Sequence, residues 1–314
     1  MSNDKFKDTT FIDIKGLTHF FENIKETELL KYYLNDDINF ATNDDILSIF
    51  NKNFEEPEIP EEPTNLDFYF IANKQSYITF SNDLEYSLNN GKTWNAYSAN
   101  TVLNLNTNDV IGFRGELIPN KTDGIGSFKG EGDISVYGNP EVLLVDNILV
   151  DYAFGRLFGG FIGLTDASGL EFNTELKTYC YQYMFTGCIN LNKVADLPAT
   201  TPLSYCYQYM FENCISLVKA PEIFLNNRGI GTVIIMDNEC ADSAMTYMFA
   251  GCSNLNYIKC HMPALKFNLL LKTVYTAQNW VSGVSASGTF YKKSSANIET
   301  GNNGIPKGWE VIDF

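Results

Sequence analysis

The chain has 314 residues, 45% of them hydrophobic and 14% aromatic, with 38 acidic against 22 basic side chains and a formal net charge of −16. That length leaves room for two or three domains with cores of their own, and the acidity excludes a protein built to grip phosphate backbones. With two histidines, three arginines (Arg114, Arg156, Arg228) and no apolar run near the roughly 20 residues of a spanning helix, no enzyme, nucleic-acid binder or membrane-inserted protein is expected.

From Met1 to Thr10 no apolar stretch of the kind a secretory leader carries is visible, so maturation in the compartment of synthesis is expected. Residues 11–34 place Leu17, Phe20, Phe21, Ile24 and Leu30 at spacings of three and four, which predicts an amphipathic helix. Thr42 and Asp45 make a cap-like start for a second short helix over 43–50. Residues 1–54 are too few for a comfortable core, so Leu17, Phe20, Phe21 and Ile24 are expected to dock on a partner or symmetry mates, or else on the next domain. The carboxylate pairs Asp36–Asp37 and Asp44–Asp45 read as solvated helix ends. The run EEPEIPEEP opens a stiff acidic linker over 55–65.

Periodicity then changes to alternation, in FYFIA at 68–72, YITF at 77–80 and VLNLN at 102–106, which predicts a small antiparallel sandwich over 66–145. Asn90-Gly91 marks a hairpin tip, where a type I′ turn needs positive φ at both central residues. SLNNGKTW at 87–94 matches the spacing of the sialidase Asp-box, a hairpin brace, with Asn89 where Asp is usual. A single copy and scattered arginines do not make a sialidase. DGIGSFKGEG at 123–132 lacks the phosphate-cradling GxxxxGK[ST] spacing and reads as a mobile loop.

From residue 150 one phrase recurs, as YMFTGCINL (183–191), YMFENCISL (209–217) and YMFAGCSNL (247–255), with a worn copy RLFGGFIGL at 156–164. Phe158, Phe185, Phe211 and Phe249 are thereby equivalent, separated by 27, 26 and 38 residues, the last enlarged by an insertion at 226–237. The shorter spacings fall in the leucine-rich-repeat range. On a helical wheel Cys180, Tyr181, Met184, Phe185 and Cys188 form one stripe, so each unit is read as a short helix plus a short strand, stable only when stacked. All seven cysteines lie between 180 and 260; Cys188, Cys214 and Cys252 share a repeat position with Phe161, and Cys180 and Cys206 share one with Ala244. They read as buried packing thiols rather than bridges or metal ligands.

The phrases CYQYMFTGCINL, LPATT (197–201) and CYQYMFENCISLVKAPE resemble the BspA-type leucine-rich repeats of gut Bacteroidota and their phages. TAQNWVSGVSASGTFYKK with GNNGIPKGWEV is similar to the segment that closes those arrays, and LEYSLNNGKTWNAY resembles the β-domain that precedes them. FIDIKGLTHFFENIK with ATNDDILSIF resembles the attachment segment of phage fibre and virion decoration proteins. The fold so implied is multidomain and mainly β with an α/β solenoid. It comprises a helical attachment segment (1–54), the linker (55–65), a β-sandwich (66–145), BspA-like repeats (150–272) and a carboxy-terminal cap (273–314).

The same resemblance implies a virion surface protein, a homodimer or homotrimer assembled in the host cytoplasm onto capsid, portal or tail proteins. Its solenoid would meet a bacterial surface glycan or protein; the alternative is an adhesin of the bacterial cell surface. No catalytic residue, cofactor or metal is expected. Tyr183, Tyr209 and Tyr247 lie off the buried stripe, so stacking would align them as a column for sugar rings, or wedge them between coils. Lys193 and Lys219 share a second repeat position and either meet acidic polysaccharide or are simply solvated.

Overall fold

The computed structural model describes residues 65–225, 242–268 and 273–314, with the backbone alone at 266–268 and 273–275. The attachment residues Leu17, Phe20, Phe21 and Ile24, both amino-terminal helices, almost all of the linker and the 226–237 insertion lie outside the described residues. No helix among the described residues is long and apolar enough to cross a membrane.

The alternating segments form β1 (Phe68–Ala72), β2 (Ser76–Phe80), β3 (Leu84–Ser87), β4 (Asn95–Tyr97), β5 (Leu103–Leu105), β6 (Val110–Arg114), β7 (Phe128–Glu131) and β8 (Ile134–Gly138). β2 shows the cause: Ser76, Ile78 and Phe80 are buried while Tyr77 and Thr79 are half-buried, the period-two pattern of a one-sided strand. Antiparallel pairing sets β8, β1, β6, β3 and β4 side by side, and β5, β2 and β7 in a second sheet. The sheets meet through rings, with Phe128 of the second sheet 4.9 Å from Phe70 and 5.1 Å from Phe113 of the first, and 4.3 Å from its cross-strand neighbour Phe80.

Asn90 and Gly91 take φ of 57° and 74°, and the Lys92 amide donates to the Asn89 carbonyl, as the type I′ expectation requires. The Asp-box-like spacing acts as a brace: the Thr93 amide donates to Asn89 Oδ1 at 3.0 Å and the Gly91 amide to Ser87 Oγ at 3.0 Å. The stretch at 123–132 departs from its reading as a mobile loop. It contains β7, and the Ile125 and Phe128 amides donate to the Ala153 and Leu157 carbonyls of the first repeat.

The first sheet does not stop at β8. β9 (Leu164–Leu170) pairs with it in parallel, and β10 (Lys193–Val194) pairs with β9, so the sandwich lends its edge to the repeats as a template. Further rungs are single bridges, Leu197 to Ile223 and Ile223 to Cys260. Beyond them come β11 (Tyr257–Cys260), an antiparallel hairpin of β12 (Lys266–Asn268) and β13 (Thr273–Tyr275), then β14 (Thr289–Lys292) and β15 (Glu310–Asp313). β14 lies parallel between β11 and β15.

The helix expected in each repeat is absent. Residues 151–163, 178–190, 204–216, 242–254 and 276–284, here coils 1 to 5, are runs of consecutive turns. In coil 2 the amides of Tyr179, Tyr181, Tyr183, Phe185 and Gly187 donate to carbonyls of coil 3, while those of Cys180, Gln182, Met184, Thr186 and Cys188 donate three residues back. An α-helix keeps its bonds within itself, four residues apart. Here half the amides stitch one coil to the next, and every amide from Tyr179 to Cys188 is paired. Every fourth residue is left-handed, at Tyr179, Tyr183 and Gly187 and again at Tyr205, Tyr209 and Asn213.

The sequence carries this period. Cys180-Tyr181, Met184-Phe185 and Cys188 recur at intervals of four and are all buried, whereas over eight residues a helix at 100° per residue would rotate Cys188 about 80° away from Cys180. The architecture is therefore mainly β, with a β-solenoid of about four turns and almost no helix. A single hydrophobic core runs from Phe68 through the coils to Trp309 within the compact unit Pro63–Phe314. Trp280 Nε1 donates to the Gly304 carbonyl and Trp309 Nε1 to that of Ser285, both at 2.8 Å. These bonds pin the closing segment over coil 5.

Candidate functional site

The four-residue period fixes what each coil shows to solvent. Buried pairs alternate with outward pairs, and the second member of each outward pair is the left-handed residue. Repetition therefore writes columns across the turn face. One column reads Arg156, Tyr183, Tyr209, Tyr247, Asn279, all with positive φ between 52° and 60°. A left-handed residue with a Cβ costs about 1–2 kcal/mol, and a stacked aromatic pair returns about 0.5–1.5 kcal/mol, so the column roughly offsets the strain that its backbone imposes.

The structure brings Tyr183, Tyr209 and Tyr247 together as a half-exposed ladder. Ring centroids are 4.6 Å and 4.9 Å apart, with interplanar angles of 6° and 2°. Arg156 covers the outer face of Tyr183 at 4.3 Å, and Asn279 Nδ2 donates to the Tyr247 hydroxyl at 3.0 Å. Neighbours thus occupy the ring faces through the ladder. What remains for a ligand is a row of phenol edges and hydroxyls, which favours hydrogen bonding over face-on sugar stacking. Burial, then neighbouring phenols and Glu212, raise the pKa of Tyr209, and burial likewise raises that of Tyr183 against the lowering effect of Arg156. Tyr183 and Tyr209 are therefore protonated at neutral pH.

A second ladder, Tyr152–Tyr179–Tyr205, runs alongside at 4.6 and 4.5 Å. Coil 4 carries Ser243 at that position, so the ladder stops there. Between the two, Gln182 Nε2 donates to Gln208 Oε1 at 2.6 Å. On the far side Thr186 Oγ1 donates to Glu212 Oε2 at 3.2 Å. The left-handed period that pairs Tyr179 with Tyr183 was readable as a four-residue repeat, yet a helical wheel hides it. Ile162, Ile189 and Ile215 add an exposed apolar column beyond the turn segment.

Lys193 and Lys219 stand on the strand rungs, and each has a partner. Lys193 Nζ lies 3.2 Å from Asp166 Oδ2, and Lys219 Nζ 5.3 Å from the Tyr257 ring centre. On the same rungs Glu222 pairs with Lys259 at 2.9 Å and with His261 Nε2 at 3.2 Å. These bonds hold its carboxyl below the ordinary range although burial opposes them.

The six described cysteines are free and buried, as packing thiols should be. Three do more than fill space. Cys188, Cys214 and Cys252 donate their S–H to the carbonyls of Phe158, Phe185 and Phe211, one coil back, at 2.9, 3.1 and 3.0 Å. Burial pushes the thiols of Cys188, Cys206, Cys252 and Cys260 up to about 12, and those of Cys180 and Cys214 well above their usual value. Such thiols are inert as nucleophiles. No cluster of three His, Cys, Asp or Glu among the described residues could hold a metal ion.

Comparison with known proteins finds no relative. No family model, curated protein or solved structure matches the chain. The site's chemistry must be read from its own geometry.

Proposed function

We propose that the chain is a non-enzymatic surface-recognition protein of a virion, a phage head or tail fibre or decoration protein whose solenoid meets the host cell surface. The observation that carries the recognition reading is the turn face itself: two phenol ladders flanking a bonded glutamine pair, repeated at the 4.5–4.9 Å spacing of the coils. A periodic row of hydroxyl and amide groups complements a periodic polar polymer, such as a glycan, better than it does a single small molecule. Attachment through residues 1–54 rests on the sequence resemblance alone, and the acidic prolyl linker would space the solenoid from the particle. On this reading the protein acts as a homo-oligomer, since a short docking segment on a symmetric particle favours self-association.

Two experiments test the two halves. Electron microscopy of particles carrying the full chain or a chain lacking residues 1–54 should show decoration only with the full chain; decoration by the truncated chain refutes the attachment role. Tyr209→Ala should weaken host-cell binding in a protein that remains folded by circular dichroism. Undiminished binding counts against the ladder.

A further inference from the structure

The worn first repeat differs from the others in a way that packing explains only in part. Gly163 lies against the backbone of Glu131, where an added Cβ would come within 2.9 Å of a main-chain atom, and Gly160 has φ of 71°. Gly159 has no such requirement: a Cβ there would meet Arg156 O and Thr186 Cγ2 at an ordinary 3.4 Å. Its column otherwise carries Thr186, Glu212, Ala250 and Ser282. Coil 1 alone carries no side chain at that position, where Gly159 is buried and its neighbour Gly160 is exposed.

Two cations overlook this bare patch. From β7, Lys129 extends so that its Nζ lies 3.2 Å from where a Cβ of Gly160 would sit. Its stem lies against the coil while the residue as a whole stays exposed. Arg156 is also exposed and is held flat on Tyr183. Neither has an acidic partner among the described residues. Burial lowers the Lys129 pKa against the raising effect of Cys188, and the Arg156 charge adds to the lowering. Glu212, the acid that acts on Tyr183 from the neighbouring coil, is itself bonded by the Thr186 hydroxyl at 3.2 Å. These two cations repel one another in a chain of net charge −16, and an anion that joins them relieves the repulsion. At physiological salt the screening length is about 8 Å, so this pair outweighs the distant acidity for a group that reaches it.

We propose that Lys129 and Arg156, beside the exposed Gly160 backbone, bind the acidic group of a surface polysaccharide, a carboxylate or a phosphate, with the polymer continuing along the hydroxyls of Tyr183, Tyr209 and Tyr247. This rests on the surface-recognition reading above and names the ligand class. The cations fix one end of the chain, and the phenol row supplies uncharged hydrogen bonds beyond it.

The test measures binding of the full chain to polygalacturonate, to poly(glycerol phosphate) and to neutral dextran, by isothermal titration at 0.15 M salt. Binding to one or both polyanions and not to dextran is expected, and which polyanion wins identifies the acidic group. K129Q/R156Q should weaken that binding at least tenfold, and K219Q on the strand rungs should leave it unchanged. Because R156Q also removes a contact to Tyr183, K129E provides a second variant. It leaves Arg156 on Tyr183, reverses the charge at an exposed position, and should abolish binding with an unchanged unfolding midpoint. Equal binding to dextran, no binding to either polyanion, or full binding by K129Q/R156Q and K129E each overturns the proposal. Those outcomes leave particle decoration and host-cell adhesion, measured separately, as they were.

Discussion

The sandwich and the solenoid bury the same kind of residue in opposite ways. In the sandwich, Phe70 meets Phe113 at 84°, Phe68 at 74° and Phe128 at 56°, the edge-to-face and tilted contacts that ring quadrupoles favour. In the solenoid, Phe158, Phe185, Phe211 and Phe249 stack at 5.2, 5.2 and 5.5 Å with angles of 22°, 4° and 7°. A core assembled from eight different strands can choose ring angles freely. One built by translating a single coil must repeat whatever orientation the backbone sets. Repetition replaces local optimisation, and stability then depends on neighbours along one axis.

The largest expected break between the two regions is alkaline. All six described cysteines belong to the repeats and none to the sandwich. Their folded pKa values are raised, to about 12 for Cys188, Cys206, Cys252 and Cys260, against about 8.5 for an exposed thiol. Folding thus favours the protonated form. That contribution is complete below about pH 8.5 and is lost as the pH climbs towards 12, by about 1.4 kcal/mol per thiol per pH unit. Urea titrations at pH 7 and pH 10 should show a steep loss, with the Trp280 and Trp309 emission of the cap changing before that of Trp94 in the sandwich. Single-tryptophan variants resolve the three. A pH-independent midpoint would mean that the thiols are not buried.

Core truncation comes next. Phe128→Ala should cost about 3–5 kcal/mol and unfold the coils as well as the sandwich, because Phe128 also packs on Phe158 at 6.1 Å. Phe211→Ala in the middle of the stack should cost a similar amount yet leave the Trp94 signal intact at intermediate urea. Coincident loss of all three tryptophan signals in both variants would show that the regions fold as one unit and erase the distinction.

A smaller effect reverses sign within one interior ladder. The Tyr181 hydroxyl accepts from the Asn173 amide at 3.2 Å, whereas the Tyr207 hydroxyl, one coil on, is buried with no partner among the described residues. Tyr181→Phe should destabilise by about 1 kcal/mol, and Tyr207→Phe should stabilise by a similar amount. Thermal melts of the two variants check both signs, and a common sign would contradict the pairing.

Much of this was legible before the structure. Alternation in SYITF and the Asn90-Gly91 tip specify their elements locally, because a strand face and an I′ turn need no distant information. The equivalence of Phe158, Phe185, Phe211 and Phe249 fixed the stacking. The turn conformation was hidden because periods of 3.6 and 4 diverge by less than one residue over a nine-residue phrase, so Cys180 to Cys188 fits either template to the eye. Tyrosine at left-handed positions adds to the disguise, since such positions usually hold glycine or asparagine; only the Gly187, Asn213 and Gly251 column betrays them. Lys129 was invisible as a site residue, because the glycine-rich stretch that carries it reads as a loop rather than as a strand paired with β2.

The central claim is that alternate amides leave each coil for the next. Trans-hydrogen-bond scalar couplings, measured by NMR on isotopically labelled protein, report it directly. Couplings from the amides of Tyr183 and Phe185 to the carbonyl carbons of Gln208 and Met210 are predicted. A coupling from the Phe185 amide to the Tyr181 carbonyl, four residues back as in an α-helix, would contradict the account.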